Sequence, residues 1–392
     1  GLHSISTAPD LVTNLKIVVV NSFSLHLPQY CDIYLQPLAE RINPMATVAL
    51  LGAGFIGNLH AANLAVHPHA ELSWVFDPQS ELAKLTARKY HGIAASSARQ
   101  VFADPSVDAV IIASTTDSHA ELLDLALEHQ KPVLVEMPLT TSALSGNDYV
   151  KRFTDAHLLA MPDLCRRFAP NYIQLRTCIC DDSLGDIELL QISSRGISLS
   201  PFENYGHRQA RLRERLFHFF DLATWLLNSL PVDIYAASSR LENAPNSPIN
   251  TCVATLRFTN GALCQLDASM RDGLSYAERV SARGAFAAAE TQRGSSVALR
   301  LHQTQRSVKR YVDADWHERI APIFASSLEG FLSALESEET PPATLQDAIV
   351  AQVITQAFAQ SLTEERPVPF NWNNPLGLSV IKPDFFDARH TA

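Results

Sequence analysis

Short apolar runs alternate with helical patterns from Thr47 onward. Four runs of mainly apolar residues are typical of buried strands: Val48–Leu51, Leu72–Phe76, Ala109–Ala113 and Val133–Val135. Between them, apolar residues recur at the spacing of an amphipathic helix in Ile56–Val66, Ser80–Tyr90 and Ser118–His129. Strands that alternate with helices indicate βαβ units, so we predict a doubly wound parallel sheet in this half of the chain.

The pattern changes after about Asp163. Beyond one further helix come longer runs that alternate like antiparallel strands: Ile187–Ser194, Thr251–Phe258 and Ala262–Ser269. Asn260-Gly261 separates two of these runs and is a strong signal for a β-hairpin. Helical patterns at Ile323–Leu335 and Leu345–Leu362, separated by a break at Pro341-Pro342, follow the predicted sheet.

These patterns divide the chain into domains. We predict a Rossmann-type domain at 45–163 and an α+β domain for substrate binding and oligomerisation at 164–370. Residues 1–44 lack steady periodicity and the features of a secretory signal, so we expect a weakly ordered appendage there, or a natural start at Met45. Residues 371–392 are expected to form a C-terminal tail.

Composition narrows the classes of partner. The chain has 392 residues, of which 46% are apolar and 18% charged, which is ordinary for a globular protein. Its formal charge of −10 leaves no basic excess for binding a nucleic acid. No apolar stretch reaches the roughly 18 residues that a membrane helix needs. We therefore expect a small-molecule ligand, with neither a nucleic acid nor a membrane as partner.

The cysteines and histidines form no metal-binding motif. Six cysteines are scattered, and only Cys178 and Cys180 lie close together, without the second pair that would complete a zinc site. Neither H-E-x-x-H nor C-x-x-C occurs. We expect no metal, and reduced cysteines in a cytoplasmic protein.

A G-x-G-x-x-G motif, Gly52, Gly54 and Gly57, lies between the first predicted strand and the first predicted helix. In this context the glycines permit a tight turn, the approach of a pyrophosphate and close helix packing, while the helix N-terminus attracts the phosphates. An ordinary glycine-rich turn is the alternative. Asp77 ends the second strand, 20 residues after Gly57, where a carboxylate can bind both ribose hydroxyls and repel a 2′-phosphate. The sequence thus favours NAD over NADP.

Four further motifs follow in chain order: Ala113–Glu121, Lys131–Leu139, Arg166–Asn171 and Phe217–Asp221. Together they resemble motifs of the Gfo/Idh/MocA oxidoreductases, a family named for glucose-fructose oxidoreductase, inositol dehydrogenase and a rhizopine-catabolism protein. The resemblance extends from Thr47 to about Pro367, and the motifs are most similar to those of inositol dehydrogenases. It implies a Rossmann domain followed by a mostly antiparallel open sheet. The flat outer face of that sheet often forms oligomer contacts in the family, so a homodimer or homotetramer is expected.

The glycine motif and the resemblance together imply a cofactor site. Its predicted residues are Gly52, Gly54, Phe55, Ile56, Gly57, Asp77, Ser114, Thr115, Thr116, His119, Glu136 and Pro138. His119 lies beside the nicotinamide ribose in this interpretation, or else has a structural role at the start of a helix. Pro138 belongs to a motif whose proline often follows a cis peptide bond in the family.

Oxidation of an alcohol needs a base for the hydroxyl proton while the hydride leaves to the nicotinamide. The resemblance makes His218 the candidate base, and a buried core histidine is the alternative. Relatives carry an aspartate one helical turn earlier, where this chain has Glu214. Glu214 either orients His218 or pairs with Arg211 or Arg215 on a solvated face.

Met137 is the larger departure from the family. It stands where the E-K-P motif carries a lysine that contacts the reacting hydroxyl, and methionine supplies neither charge nor proton. We therefore include Met137 among the catalytic positions, as the residue that replaces this lysine. Arg166, Arg167 and Asp221 are the predicted substrate contacts, with structural ion pairing as the alternative role of the arginines. Arg279 matches a strand arginine of relatives and is expected to be structural.

The motifs together predict an NAD-dependent oxidoreductase that acts on a CH–OH group of a polyol or sugar-like substrate, similar to the inositol dehydrogenases. Two other classes stay open. Some relatives lack the lysine, keep NAD tightly bound and cleave glycosidic bonds through transient oxidation and re-reduction. A catalytically idle dinucleotide-binding protein would also fit the departures at Met137 and Glu214.

Overall fold

The computed structural model describes residues 45–195, 205–239, 251–269, 277–293, 299–303, 306–310, 316–337 and 339–372. The predicted appendage at 1–44 and the predicted tail beyond residue 372 lie outside the described residues. Within these ranges, no helix combines the length and the apolar character needed to cross a bilayer.

A six-stranded sheet forms the N-terminal half. Its strands are β1 Ala46–Leu51, β2 Ala70–Phe76, β3 Ile93–Ala94, β4 Ala109–Ile112, β5 Val133–Val135 and β6 Ala160–Pro162. The connecting helices are α1 Phe55–Leu64, α2 Ser80–Tyr90, α3 Ala98–Ala103, α4 Thr116–Glu128 and α5 Ala143–Asp155. All neighbouring strands run parallel, which confirms the predicted doubly wound domain.

The strand order β3-β2-β1-β4-β5-β6 places the carboxyl ends of β1 and β4 side by side. The order reverses between these two strands, and open α/β sheets bind their ligands in the crevice at such a point. Every residue of β4 and β5 is buried, which explains why these strands are continuous apolar runs without alternation. The fold thus directs a ligand site to the carboxyl edge of this sheet.

A seven-stranded sheet forms the C-terminal half, in the order β12-β11-β7-β10-β9-β8-β15. Its strands are β7 Ile187–Arg195, β8 Pro231–Ser239, β9 Thr251–Phe258, β10 Leu263–Ser269, β11 Ala277–Gly284, β12 Ala288–Arg293 and β15 Val368–Pro369, and a separate hairpin holds β13 Leu299–Gln303 and β14 Arg306–Arg310. A short 3-10 helix spans Cys165–Phe168, and the α-helices are α6 Pro170–Cys180, α7 Tyr205–Leu227, α8 Trp316–Ser337 and α9 Leu345–Glu364.

This second sheet is mostly antiparallel, as predicted, with β7 and β10 as its parallel pair. The predicted hairpin at Asn260-Gly261 joins β9 to β10, and Gly261 has φ +89°. Side chains along β9 alternate between exposed and buried. One face of this sheet is covered by α7, which contacts β7 and β10, and by α9, which contacts β8. Tyr235, Val253 and Leu263 are exposed apolar residues of these strands.

Helices α8 and α9 connect the second half to the first sheet. Gln352 on α9 donates a hydrogen bond to the carbonyl oxygen of Thr140, 2.8 Å away, and the ring of His67 lies 2.9 Å from the carboxylate of Glu329 on α8. Helix α8 also packs against α1 and against the 3-10 helix. The Gln352–Thr140 contact lies beyond the carboxyl end of β5, whereas the His67–Glu329 contact lies beyond the end of α1 that leads into β2.

Candidate active site

The three glycines of the loop after β1 have different surroundings. Gly52 has φ +98°, and a Cβ atom there would lie 2.4 Å from the carbonyl oxygen of Ala113. At Gly57 a Cβ atom would lie 1.9 Å from the carbonyl oxygen of Gly52, whereas at Gly54 it would meet no atom within 4 Å. The first and third glycines are therefore required by backbone packing. The second leaves room for a ligand.

Helix α1 presents an N-terminus suited to an anion. Gly54 is its N-cap residue and makes no side-chain capping bond, and the first turn, with Phe55 and Ile56, holds no acidic residue. Because the first N–H groups of a helix lack partners within the helix and carry partial positive charge, this end favours a phosphate. A pyrophosphate contact of the glycine loop stays a prediction.

Asp77 lies at the carboxyl end of β2, as the sequence predicts. Its Oδ2 accepts a hydrogen bond of 2.8 Å from the backbone N–H of Ala53, and its Oδ1 accepts one of 2.8 Å from the N–H of Gln79. These bonds fix the carboxylate beside the glycine loop, at the position from which it can contact a ribose.

Ser114, Thr115 and Thr116 follow β4, where Thr115 is the N-cap residue of α4. His119 in the first turns of α4 is buried and links two loops, because its Nδ1 lies 3.0 Å from the carbonyl oxygen of Pro138 and its Nε2 lies 3.1 Å from that of Ser114. Burial lowers the pKa of His119 although the carbonyls favour its protonation. These contacts agree with the structural role, and a ribose contact of His119 stays a prediction.

The Glu136-Met137-Pro138 segment follows β5 at the same edge. The Met137–Pro138 peptide bond is cis, as the resemblance implies. Met137 is buried, with 9% of its surface exposed, so an uncharged thioether fills the position at which the family carries a lysine.

Glu136, His60 and Asp163 form a cluster that we call the carboxylate–imidazole cluster. The Nε2 of His60 on α1 lies 2.9 Å from Oε1 of Glu136 and 3.4 Å from Oδ2 of Asp163, which follows β6. Ser327 on α8 donates a 2.7 Å hydrogen bond to Oδ1 of Asp163, and Phe324 packs edge-on against the imidazole. His60 and Asp163 are fully buried, while the side chain of Glu136 is 15% exposed.

The charges of this cluster shift the pKa values of His60 and Glu136. Burial opposes protonation of His60, but the two carboxylates outweigh it and raise its pKa to about 9. Burial and the negative charge of Asp163 raise the pKa of Glu136, against the opposing effect of His60. The cluster therefore favours a protonated His60 between the two carboxyl groups.

His218, the candidate base, lies on α7 with its ring edge-on to Phe217. Burial and the nearby Arg166 lower the pKa of His218 to about 3, although Asp163 and Glu278 act in the opposite direction. Its Nδ1 has no hydrogen-bond partner within the described part of the chain. Glu214 lies one turn earlier on α7, and its side chain lies outside what the structure describes.

The predicted substrate residues form buried ion pairs. Arg167 donates through Nε and Nη2 to the carboxylate of Asp221, and its Nη1 lies 3.2 Å from Asp347 on α9. Arg166 donates a 2.8 Å hydrogen bond to Glu278, which also accepts one of 2.9 Å from the hydroxyl of Tyr172. These pairings agree with the structural role left open for the arginines, and contacts with a substrate stay a prediction.

Two further expectations concern the role of Arg279 and the state of the cysteines. Arg279 pairs with Glu290 across β11 and β12 at the surface, in agreement with a structural role. The five cysteines among the described residues, which exclude Cys31, are free thiols.

The sequence patterns missed His60 and Asp163. His60 lies on the same face of α1 as Gly57 and Leu64, so its periodicity is that of a core position. The signal that could have found Asp163 is topological. Glu136 and Asp163 each follow a strand of the parallel sheet, and the carboxyl ends of neighbouring parallel strands meet at one edge.

Comparison with known proteins identifies the family. The model of the oxidoreductase family's NAD-binding Rossmann fold matches residues 46–163, and the model of its C-terminal alpha/beta domain matches residues 177–370. The fold and the glycine loop therefore define an oxidoreductase with an NAD-binding domain. The chain belongs to the Gfo/Idh/MocA oxidoreductase family, and its cofactor is NAD.

Several relatives match the chain over nearly their full length. The myo-inositol 2-dehydrogenase of Thermotoga maritima is 26% identical over 328 residues, which cover 82% of this chain and 97% of the relative. The inositol 2-dehydrogenase 2 of Paenarthrobacter aurescens is 28% identical over 331 residues, covering 80% and 95%. The crystal structure of myo-inositol dehydrogenase from Lactobacillus casei, in complex with NAD(H) and myo-inositol, shares the fold with a TM-score of 0.75 at 19% identity, covering 87% of this chain and 99% of that one.

Proposed function

We propose that the protein is an NAD-dependent dehydrogenase that transfers a hydride between the nicotinamide and a CH–OH carbon of a polyol or sugar-like substrate. The observation that carries this proposal is the carboxyl edge of the parallel sheet. There the open glycine at position 54, after β1, and the segments after β4 and β5 that carry Ser114 and Glu136 lie at one edge of the sheet. Relatives named inositol 2-dehydrogenases that align over most of their length support this substrate class.

Each part of the site has a proposed task. The backbone around Gly54 and the N-terminus of α1 bind the pyrophosphate, and Asp77 binds the adenosine ribose, which favours NAD over NADP. Ser114–Thr116 line the cofactor next to the place between β1 and β4 where the strand order reverses. When bound, NAD supplies the hydride chemistry, and the protein supplies orientation and proton transfer.

His218 is proposed as the base for the hydroxyl proton. Burial and the nearby Arg166 lower its pKa, so the ring is neutral, and a neutral imidazole can accept a hydrogen bond from the hydroxyl. Its Nδ1, which has no hydrogen-bond partner within the described part of the chain, is a nitrogen that can accept the hydroxyl proton as the hydride leaves.

The domain boundaries and the assembly belong to the same proposal. Residues 45–163 bind the cofactor, and residues 164–370 supply substrate contacts. The open face of the seven-stranded sheet, which exposes Tyr235, Val253 and Leu263, joins copies of the chain into a homodimer or homotetramer in the cytoplasm.

The test is NADH formation, followed by absorbance while the purified protein and NAD are offered inositols, sugars, sugar acids and glycosides. We expect NAD reduction with at least one polyol, loss of that activity in His218→Ala, and retention in His69→Ala, which removes an exposed histidine. Met137→Lys shows whether a lysine there changes the choice of substrate. Release of sugar from a glycoside without net NADH, or NAD binding without any turnover, would contradict the proposal and point to the two other classes.

A further inference from the structure

We propose that Asn58 is a positioning residue for the cofactor, and that its carboxamide sets the direction in which the glycine loop presents the N–H of Gly54. The inference rests on the proposed contact of this loop with the pyrophosphate of NAD, and it names the side chain that gives the loop its binding conformation. Hydrogen bonds of Asn58 and Asp77 to successive peptide groups of the loop carry it.

Asn58 lies in the first turn of α1, directly after Gly57. Its backbone N–H donates a 3.0 Å hydrogen bond to the carbonyl oxygen of Gly54. Side chains on a helix lean toward its N-terminus, so the carboxamide of Asn58 can reach back to the glycine loop. There its Nδ2 donates to the carbonyl oxygens of Ala53 and Gly54, at 2.8 and 3.0 Å. One side chain thus holds two successive carbonyl groups of the loop.

The direction of a carbonyl group fixes the direction of the next N–H. The peptide group between Ala53 and Gly54 is planar and trans, so its C=O and its N–H point in opposite directions. Because Asn58 holds the carbonyl of Ala53 toward α1, the N–H of Gly54 points away from the carboxamide. Without this contact the peptide group could rotate and present the carbonyl oxygen, which repels a phosphate, in place of the N–H.

Asp77 fixes the preceding peptide group of the loop. Its Oδ2 accepts a 2.8 Å hydrogen bond from the N–H of Ala53, so the carbonyl of Gly52 points away from Asp77. That carbonyl oxygen packs against α1, where a Cβ atom at Gly57 would lie 1.9 Å from it. The N–H of Ala53 is therefore engaged within the protein, and the N–H of Gly54 is the next one along the loop.

The surroundings of Gly54 leave room for a ligand. A Cβ atom there would meet no atom of the described residues within 4 Å, and Gly54 itself is exposed. Gly54 is also the N-cap residue of α1, whose first turn holds no acidic residue. The end of a helix at which N–H groups lack partners within the helix attracts an anion. An anion can therefore approach Gly54 without displacing a protein group.

The neighbours of Asn58 determine which way its amide faces. Thr86 on α2 is buried, and its hydroxyl lies 3.4 Å from Oδ1 of Asn58, to which it can donate a hydrogen bond. The NH2 group of the amide donates, whereas its oxygen accepts, so Nδ2 must face the two loop carbonyls. Aspartate has a similar shape but only acceptor oxygens, and leucine has neither donor nor acceptor. The two substitutions therefore remove the contacts in different ways.

Calorimetric titration with NAD, ADP and adenosine separates the phosphate contact from the ribose contact. We expect Asn58→Leu to bind NAD and ADP at least about tenfold more weakly, because a hydrogen bond from the loop to a charged phosphate is lost. Its affinity for adenosine should stay that of the wild type, since adenosine has no phosphate and Asp77 keeps its bond to the loop. General damage to the fold would lower all three affinities.

Asn58→Asp is the second variant, with Asn63→Asp as its matched control. Asn58→Asp places an acceptor against two carbonyl oxygens and adds a negative charge near the phosphates, so NAD binding should weaken by at least roughly 100-fold. Asn63→Asp adds the same charge in the last turn of α1 and should leave the affinity for NAD unchanged. Equal weakening by both aspartates would overturn the inference, because it would show an effect of charge alone.

The outcomes separate the role of Asn58 from the assignments behind it. If the wild type binds ADP more tightly than adenosine and Asn58→Leu keeps that preference in full, the inference is overturned while the pyrophosphate contact stands. If the wild type shows no such preference, the pyrophosphate contact fails and the inference falls with it. A wild type that binds NAD but oxidises no polyol contradicts the dehydrogenase function alone, because these titrations need no turnover. If Asn58→Leu does not fold, as judged by circular dichroism and melting, Asn58→Ala decides by the same criteria.

Discussion

Replacement of Gly57 by alanine tests whether the glycine loop is shaped for a pyrophosphate. The Cβ atom of Gly57→Ala would lie 1.9 Å from the carbonyl oxygen of Gly52, whereas ordinary van der Waals contact begins at 3.4 Å. Helix and loop must therefore separate by about 1.5 Å. At Gly54 the same methyl group meets no protein atom within 4 Å. The two substitutions thus differ in their effect on the protein alone.

The size of the effect follows from packing and hydrogen bonding. Forcing a methyl group into a packed site costs about 1–3 kcal/mol of stability, so Gly57→Ala should melt several degrees below the wild type. Displacing the loop also removes hydrogen bonds to the charged pyrophosphate, worth about 1.5–3 kcal/mol each. Loss of two such bonds weakens NAD binding by at least roughly 100-fold.

Calorimetric titration with NAD and melting curves without it separate the two effects. We expect Gly57→Ala to lose both affinity and stability, and Gly54→Ala to keep the melting temperature of the ligand-free protein but bind NAD at least about tenfold more weakly, because its methyl group faces the ligand. Wild-type affinity in Gly57→Ala, or in both variants, would refute the assignment of this loop to the pyrophosphate.

Three further predictions concern buried charge and cofactor choice. Asp221→Asn leaves Arg167 buried without its main partner, so the free energy of urea unfolding should fall by about 3–5 kcal/mol. The control Asp155→Asn, in an exposed ion pair, should change it much less. Equal effects of the two substitutions would contradict a stabilising role of the buried ion pair. Asp77→Ser removes the carboxylate beside the glycine loop and should raise the affinity for NADP relative to NAD at least about tenfold in fluorescence titrations, and an unchanged ratio would argue against a ribose contact. The pKa of His60 is raised from 6.5 to about 9, so its stabilising effect is complete below pH 6.5 and is lost as the pH rises through 9. The difference in unfolding free energy between wild type and His60→Gln should therefore shrink over that range, and a constant difference would contradict the shift.

Much of the fold could be predicted because its strongest signals are local. The bounds of α2 at Ser80–Tyr90 and of β9 at Thr251–Phe258 match the predicted ones, and α1 and α4 differ from theirs by one or two residues at each end. Helix α5 was not predicted, and Gly146, a residue of low helix propensity, lies within it. That glycine is explained by tertiary packing, since a Cβ atom there would lie 2.5 Å from the side chain of Ile349 on α9.

Strands β3 and β6 and helix α3 were missed for a related reason. They have two, three and six residues, too few for a periodic pattern to appear, and their structure depends on pairing with neighbours. Ser97 caps α3 by accepting a hydrogen bond from the N–H of Gln100, which is a local signal that the hydrophobic pattern does not contain.

The candidate site also has one part that could be predicted from the sequence and one part that could not. The glycine loop and Asp77 could be predicted because they depend on a short motif and one fixed spacing. The contact of His60 with Asp163 joins residues far apart in the chain, and it exists only once β5 and β6 lie side by side. Met137 could be recognised from the sequence as a substitution, but its burial beside the carboxylate–imidazole cluster is known only from the packed structure.

Transfer of deuterium tests the central proposal most directly. The protein is incubated with NAD⁺ and myo-inositol deuterated at its carbinol carbons, and the reduced cofactor is examined by mass spectrometry and proton NMR. A dehydrogenase of the proposed kind places one deuterium on C4 of the nicotinamide, with slower NADH formation than from the undeuterated substrate. The other polyols of the panel are deuterated and tested in the same way. If the protein binds NAD but none of these substrates transfers deuterium to it, the proposed hydride transfer is contradicted.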